Sequence, residues 1–139
     1  MDVLIDSNVA IDVLLYREPS YQDSHLVLLA SERRLIHGYI SASAITDIFY
    51  IISKKMGKIS AREIIVNYLI GAVSIATVDE SIVYRALDAK WNDFEDSVQY
   101  TVGKEVKADF IVTRNVDDFK NGTITTIEPE KFVKNILFQ

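Results

Sequence analysis

Short apolar runs that end in polar residues alternate along this chain with longer stretches whose apolar residues recur at helical spacing. The pattern predicts strands joined by helices. Met1 to Ile5 reads as a buried strand, after which Ser7 or Asn8 offers a cap for a short helix carrying Val9, Ile11, Val13, Leu14 and Leu15. Arg17-Glu18-Pro19 breaks that helix. Ser20 to Leu35 suits a second helix, with Leu26, Leu28, Leu29 and Ala30 inside and Arg33 and Arg34 in a last turn whose dipole favours cations. Ile36 to Ser41 is the next strand. Ser43 to Lys55 then places Ala44, Ile45, Ile48, Phe49, Ile51 and Ile52 at helical spacing and closes at Gly57. Ser60 to Ile70 opens on the capping-box pair Ser60 and Glu63 and stops at Gly71. A strand from Val73 to Val78, helices from Asp79 to Lys90 and Asp93 to Lys107, and a strand from Asp109 to Thr113 follow. A short edge strand, Ile124 to Ile127, precedes a final helix that Pro129 starts and that buries Phe132, Val133, Ile136 and Leu137.

Strands separated by helical crossovers predict an α/β fold with a mostly parallel sheet covered on both faces. No repeat, linker or low-complexity tract interrupts the pattern, and 139 residues fit a single domain over 1–139. Hydrophobic residues at 49% and charged residues at 25% mark a globular chain, and its apolar runs are too short to cross a membrane. The first residues lack a basic stretch and carry Asp6 within the apolar run, which argues against a signal peptide and makes cytoplasm the expected location. The absence of cysteine removes disulfides, thiolate nucleophiles and zinc–thiolate sites. A net charge of −5 argues against binding nucleic acid through a broad basic surface.

The candidate chemistry lies in acids far apart in the chain. Asp6 follows a strand, Asp47 lies in the helix after the second strand, Asp93 and Asp96 open a later helix, and Asp117 and Asp118 follow the fourth strand. Loops at the carboxyl ends of parallel strands meet in one crevice, so these acids can converge there. Converging carboxylates repel unless a positive charge lies between them. A hard divalent cation such as Mg²⁺ fits, because it takes a few carboxylates, keeps waters and accepts phosphate oxygens. Phosphodiester chemistry is the expected use. Each acid also has an ordinary explanation, since Asp after a strand commonly forms a turn or caps a helix. Ser7 and Asn8 already offer caps beside Asp6, which leaves its carboxylate free for the crevice. Asp47 has neither a capping role nor good helix propensity, and a solvated helix face would explain it about as well. Asp93 suits a helix cap, with Asp96 one turn on and facing the same way.

Four segments in order resemble the motifs of PIN-domain ribonucleases: Val3-Leu4-Ile5-Asp6-Ser7-Asn8-Val9, Ser41-Ala42-Ser43-Ala44-Ile45-Thr46-Asp47, Asp93-Phe94-Glu95-Asp96-Ser97-Val98-Gln99, and Ile111-Val112-Thr113-Arg114-Asn115-Val116-Asp117-Asp118-Phe119. The resemblance spans nearly the whole chain, and small single-domain members of this kind are mostly the toxin half of VapBC-type toxin–antitoxin pairs. It implies a PIN-like three-layer α/β/α fold and Mg²⁺- or Mn²⁺-dependent cleavage of RNA. It makes Asp6, Asp47, Asp96 and Asp118 the catalytic acids, with Asp6, Asp96 and Asp93 toward the metal. Ser7 and Asn8 take the small polar positions beside the first acid, and Asn115 opens the fourth motif. Two positions depart from the family pattern. Asp47 stands where Glu is usual and reaches about 1.5 Å less, and Asn115 is neutral where Asp is frequent. Those departures favour one firmly held ion plus a weaker second, and they sustain an alternative: a catalytically weak or inactive PIN-like module that binds protein or RNA.

Other residues complete the picture. Arg114 beside the fourth motif is a candidate for phosphate, and Arg33, Arg34, Lys54, Lys55 and Lys58 for the RNA backbone. His25 and His37 lie far from every acidic motif in sequence, so histidine base catalysis is not expected. The helix with Ile64, Ile65, Tyr68, Leu69 and Ile70, together with Ile51 and Ile52, holds more apolar residues than one buried stripe needs. It is a candidate homodimer interface or groove for an antitoxin, whose basic side chain would suit the acidic site. A phosphoaspartate receiver is disfavoured, because no Asp stands two residues after Asp6 and no downstream Lys follows a strand in the required context.

Overall fold

The computed structural model describes residues 1–138. Strands β1 (Asp2–Ile5), β2 (His37–Ser41), β3 (Ser74–Ala76), β4 (Phe110–Val112) and β5 (Thr125–Ile127) form one sheet in the order β3-β2-β1-β4-β5. Every pairing is parallel, so the expected mostly parallel sheet is wholly so among the described residues. Helices α1 (Ser7–Leu14) and α2 (Tyr21–Glu32) connect β1 to β2, α3 (Ala42–Met56) and α4 (Lys58–Tyr68) connect β2 to β3, and α5 (Glu80–Asp88) and α6 (Phe94–Glu105) connect β3 to β4. A short 3₁₀ turn at Val116–Phe119 leads to β5, and α7 (Pro129–Phe132) runs into a π-helical turn at Val133–Leu137.

The alternation of side chains across the pleat divides the core into two halves. Val3 and Ile5 of β1, Ile40 of β2 and Val112 of β4 pack with α1, α2, α3, α4 and α7 on one face. Leu4, Ala76 and Ile111 pack with α5, α6 and Phe119 on the other. This is the three-layer α/β/α architecture. Strand order departs from β1 in both directions, toward β2 and β3 on one side and toward β4 and β5 on the other. The crevice at such a reversal, outside the carboxyl ends of the strands, is where ligands bind in open α/β sheets.

Several local expectations are corrected. Asp6 itself, rather than Ser7 or Asn8, is the N-cap of α1, its carboxylate accepting from the Ser7 N–H at 2.8 Å. Helix α2 ends at Glu32, so Arg33 and Arg34 lie beyond its last turn. Arg34 adopts φ 60°, a left-handed step that turns the chain into β2. The capping box at Ser60 does not form. Gly57, at φ 86°, serves as the shared junction of α3 and α4, so α4 already starts at Lys58 and Ser60 falls inside it. Strands β3 to β5 are shorter than their apolar runs because pairing stops where the chain turns into the neighbouring helix or loop.

Candidate active site

Four elements deliver acids to one cavity of about 510 Å³ at the carboxyl ends of the strands. Asp6 closes β1, Asp47 lies on α3 after β2, Asp96 sits in the first turn of α6, and Asp118 lies in the 3₁₀ turn after β4. Ser7, Asn8 and Asn115 line the same cavity, as do Glu95 and Arg17. Ser43, Thr46 and Gln99 add polar groups to the lining, and the apolar part of the wall includes Ile51, Val78, Val83 and Phe94.

Asp6 is the most firmly held of the acids. Its Oδ1 accepts from the Ser7 N–H and from Gln99 Nε2 at 3.3 Å, and its Oδ2 accepts from Thr113 Oγ1 at 2.7 Å and Asn8 Nδ2 at 3.2 Å. These donors come from α1, α6 and the end of β4. Thr113 Oγ1 also accepts from Asn8 Nδ2 at 3.1 Å and from the Asn115 N–H at 3.0 Å. Asn8 Oδ1 accepts from the Arg114 N–H at 3.2 Å. The first and fourth motifs are therefore fastened to each other through Asn8 and Thr113.

The other acids are less satisfied. Asp96 has its carboxyl raised from 3.8 to about 6, first by burial and then by the neighbouring charges of Asp93, Asp118, Asp6 and Glu95. Among the described residues, neither Asp47, Asp96 nor Asp118 forms an ion pair. Asp47 and Asp118 are exposed on the cavity rim. The carboxylates thus repel one another across a space without a fixed cation between them.

Two candidates fall outside this arrangement. Asp93 does not line the cavity: it is the N-cap of α6, its Oδ1 accepting from the Asp96 N–H at 3.0 Å, and it acts on Asp96 through its charge. Arg114 turns away from the acids. Its Nε and Nη2 donate to the two oxygens of Asp12, a residue of α1 whose side chain is only 1% exposed. A guanidinium fork matches a carboxylate in this way, and it anchors the fourth motif to α1 instead of facing phosphate. Arg34 lines a separate cavity with Met1 and His37 at the amino ends of β1 and β2, so the five basic residues do not form one patch beside the acids. His37 lies at that same far end, against Asp2 and Ser74, and His25 stacks on Tyr21.

Residues 2–117 match the family described as PIN domain. The chain belongs to the PIN-domain family. Over 136 residues, 94% of this chain and 92% of the relative, it is 29% identical to "Ribonuclease VapC1" of Aquifex aeolicus (strain VF5). Its fold is similar to that of FitAcB from Neisseria gonorrhoeae, with a TM-score of 0.72 at 15% identity, covering 92% of this chain and 98% of that one. It is also similar to VapC20 of Mycobacterium tuberculosis, titled a sarcin–ricin loop cleaving toxin, with a TM-score of 0.69 at 13% identity and coverage of 88% and 96%. At such identities the structural likeness establishes the PIN fold.

Within this PIN domain, sequence reasoning missed Gln99, Thr113, Asp12 and Arg17. Asp12 had a visible signal, a lone charge in the otherwise apolar helix between Val9 and Leu15. Thr113 and Gln99 gave none beyond their place next to acidic motifs.

Two predictions separate these roles. Arg114→Ala leaves Asp12 without its partner, and because Arg114 is itself partly exposed, it should destabilise the chain by about 1–3 kcal/mol in denaturant unfolding. The double variant Asp12→Ala/Arg114→Ala should recover part of that loss, whereas a solvent-facing Arg114 would cost almost nothing. For Asp96, the folded state holds the proton more tightly than the unfolded state, so stability falls as pH rises from about 4 to about 6. In EDTA, Asp96→Asn should therefore melt a few degrees above the wild type at pH 7.5 and level with it at pH 4. A melting point below wild type at both pH values would contradict the repulsion.

Proposed function

We propose that this PIN domain is a Mg²⁺- or Mn²⁺-dependent endoribonuclease and the toxin of a toxin–antitoxin pair. The observation that carries the proposal is the convergence of Asp6, Asp47, Asp96 and Asp118 on one cavity at the sheet's carboxyl end. The donor set suits a hard divalent cation: the cavity offers carboxylates and amides, with no imidazole or thiolate among its lining residues. Among the described residues, no three acidic or histidine side chains form a ready-made cage. A cation bound there would be held by one or two carboxylates and otherwise by water. Asp6 and Asp96 are the holders proposed, and Asp93 adds negative charge from behind. When bound, such a cation supplies positive charge to the phosphate and activates water for in-line attack.

The chain's own residues do the rest. Asp6 presents a carboxylate already oriented by its donors, which limits reorganisation at the moment of reaction. Asp96, with its raised carboxyl, gains most from a cation that relieves its repulsion. Asp118 and Asp47 are exposed on the rim, where they can take part through water. Ser7 and Asn115 line the cavity with polar side chains for the phosphodiester, and Arg17 offers it a cation, whereas the Asn8 amide is engaged by Asp6, Thr113 and the Arg114 N–H and holds the site together instead. The apolar wall of Val78, Val83 and Phe94 accommodates a sugar or base.

The surface of α4 supports a protein partner. Ile52, Ile65 and Leu69 are consumed by the core, but Ile59, Val66, Tyr68 and Ile70 remain exposed. Ile59 and Val66, seven residues apart, share one face of α4 that suits a second copy or an antitoxin segment, and a basic side chain from the latter would match the acidic cavity. Solved structures similar in fold include the complex VapBC2 from Rickettsia felis.

The activity is tested by incubating the purified chain with structured RNA and either Mg²⁺ or Mn²⁺, then mapping new 5′ ends. Discrete cuts are expected with metal, falling at least about 100-fold in Asp6→Asn and in Asp96→Asn. Intact RNA under both metals would instead favour a non-catalytic binding module, consistent with the shorter Asp47 and the neutral Asn115.

A further inference from the structure

Gln99 lies three residues after Asp96 on α6, with 8% of its surface exposed. Both ends of its amide are engaged. Nε2 donates to Asp6 Oδ1 at 3.3 Å, and Oε1 accepts from Ser41 Oγ. Ser41 is the N-cap of α3, and its Oγ accepts from the Ala44 N–H at 3.1 Å. That bond leaves the Ser41 hydrogen available for Gln99 Oε1. The orientation of the amide follows, because the flipped form would set its oxygen against the Asp6 carboxylate. A continuous chain of donors therefore runs from the first turn of α3, through Ser41 and Gln99, to the acid at the end of β1.

The other donors to Asp6 belong to α1 and to the end of β4. Gln99 is the donor that comes from the helix bearing Asp96, and through Ser41 it reaches the helix bearing Asp47. We infer that Gln99 is a positioning residue that sets the Asp6 carboxylate against Asp96 and ties the α3 side of the cavity to both. The inference rests on the metal-dependent nuclease proposed above, in which Asp6 and Asp96 hold the cation. Groups that hydrogen-bond to metal-binding side chains typically change affinity or activity by about 10–100-fold when removed, because the ligand loses its fixed orientation.

Packing alone would also bury a glutamine here, and Gln99→Met separates the two roles. Methionine keeps the length and apolar stem but removes both amide bonds. Mn²⁺ binding by calorimetry on the full chain should weaken about 10–100-fold in Gln99→Met. RNA cleavage should lose kcat with KM unchanged. Ser41→Ala, which leaves Gln99 in place but frees its amide to turn, should show a smaller loss in the same direction, and it carries the test if Gln99→Met fails to fold. Folded Gln99→Met that binds Mn²⁺ as tightly as wild type would overturn the inference, as would unchanged binding in Ser41→Ala when that variant carries the test. The two readings fail differently. A wild-type chain that neither binds Mn²⁺ nor cuts RNA removes the nuclease and Gln99's role together, whereas an active wild type beside an unaffected variant removes Gln99's role alone.

Discussion

The carboxylate of Asp6 is fixed by four donors from three elements, and the rest of the site is arranged around that charge. Its position is a consequence of topology. β1 is the central strand, flanked by β2 and β4, so the residue that ends it stands where the chain departs to both sides of the sheet. Neighbouring strands supply what the carboxylate needs, with Thr113 from β4 on one side and Ser41, through Gln99, from β2 on the other. Buried polar networks of this kind are stable only when every member is satisfied. Here Thr113 Oγ1 gives one hydrogen bond and receives two, and the Asp6 carboxylate receives four.

A second constraint works against the first. Satisfying Asp6 does nothing for Asp96, which faces burial and several like charges. Folding energy alone would favour replacing one of these acids with a neutral residue. The cation proposed above would offer a reason to keep them, since it would offset their mutual repulsion. The pair between buried Asp12 and the more exposed Arg114 belongs to the same compromise: it spends a cation on anchoring the 3₁₀ turn, so that Asp118 and Asn115 are held at the rim.

Much of this was legible in the sequence. The alternation of apolar runs and helical stretches located all five strands, and Asp6, Asp47, Asp96 and Asp118 were each placed at strand ends or early helical turns. Boundaries were less legible, because a run such as Val73 to Val78 can be apolar beyond the three residues that pair. Capping was misread at Asp6 because several neighbouring residues had suitable side chains and geometry alone chooses among them. Arg114 was assigned toward phosphate for its place in the motif. Its real partner, Asp12, is 102 residues away in sequence, and no local pattern announces such a pair. Gln99 and Thr113 were silent for the same reason, since uncharged polar residues gain meaning only from what they touch.

The proposed role of the converging acids is to hold a divalent cation. Crystals of the chain soaked in Mn²⁺, with anomalous diffraction collected at the manganese edge, test it most directly. An anomalous peak within the cavity, in contact with Asp6 and Asp96, is the expected result. A cavity without manganese at millimolar concentration, or a peak bound elsewhere on the surface, would contradict it.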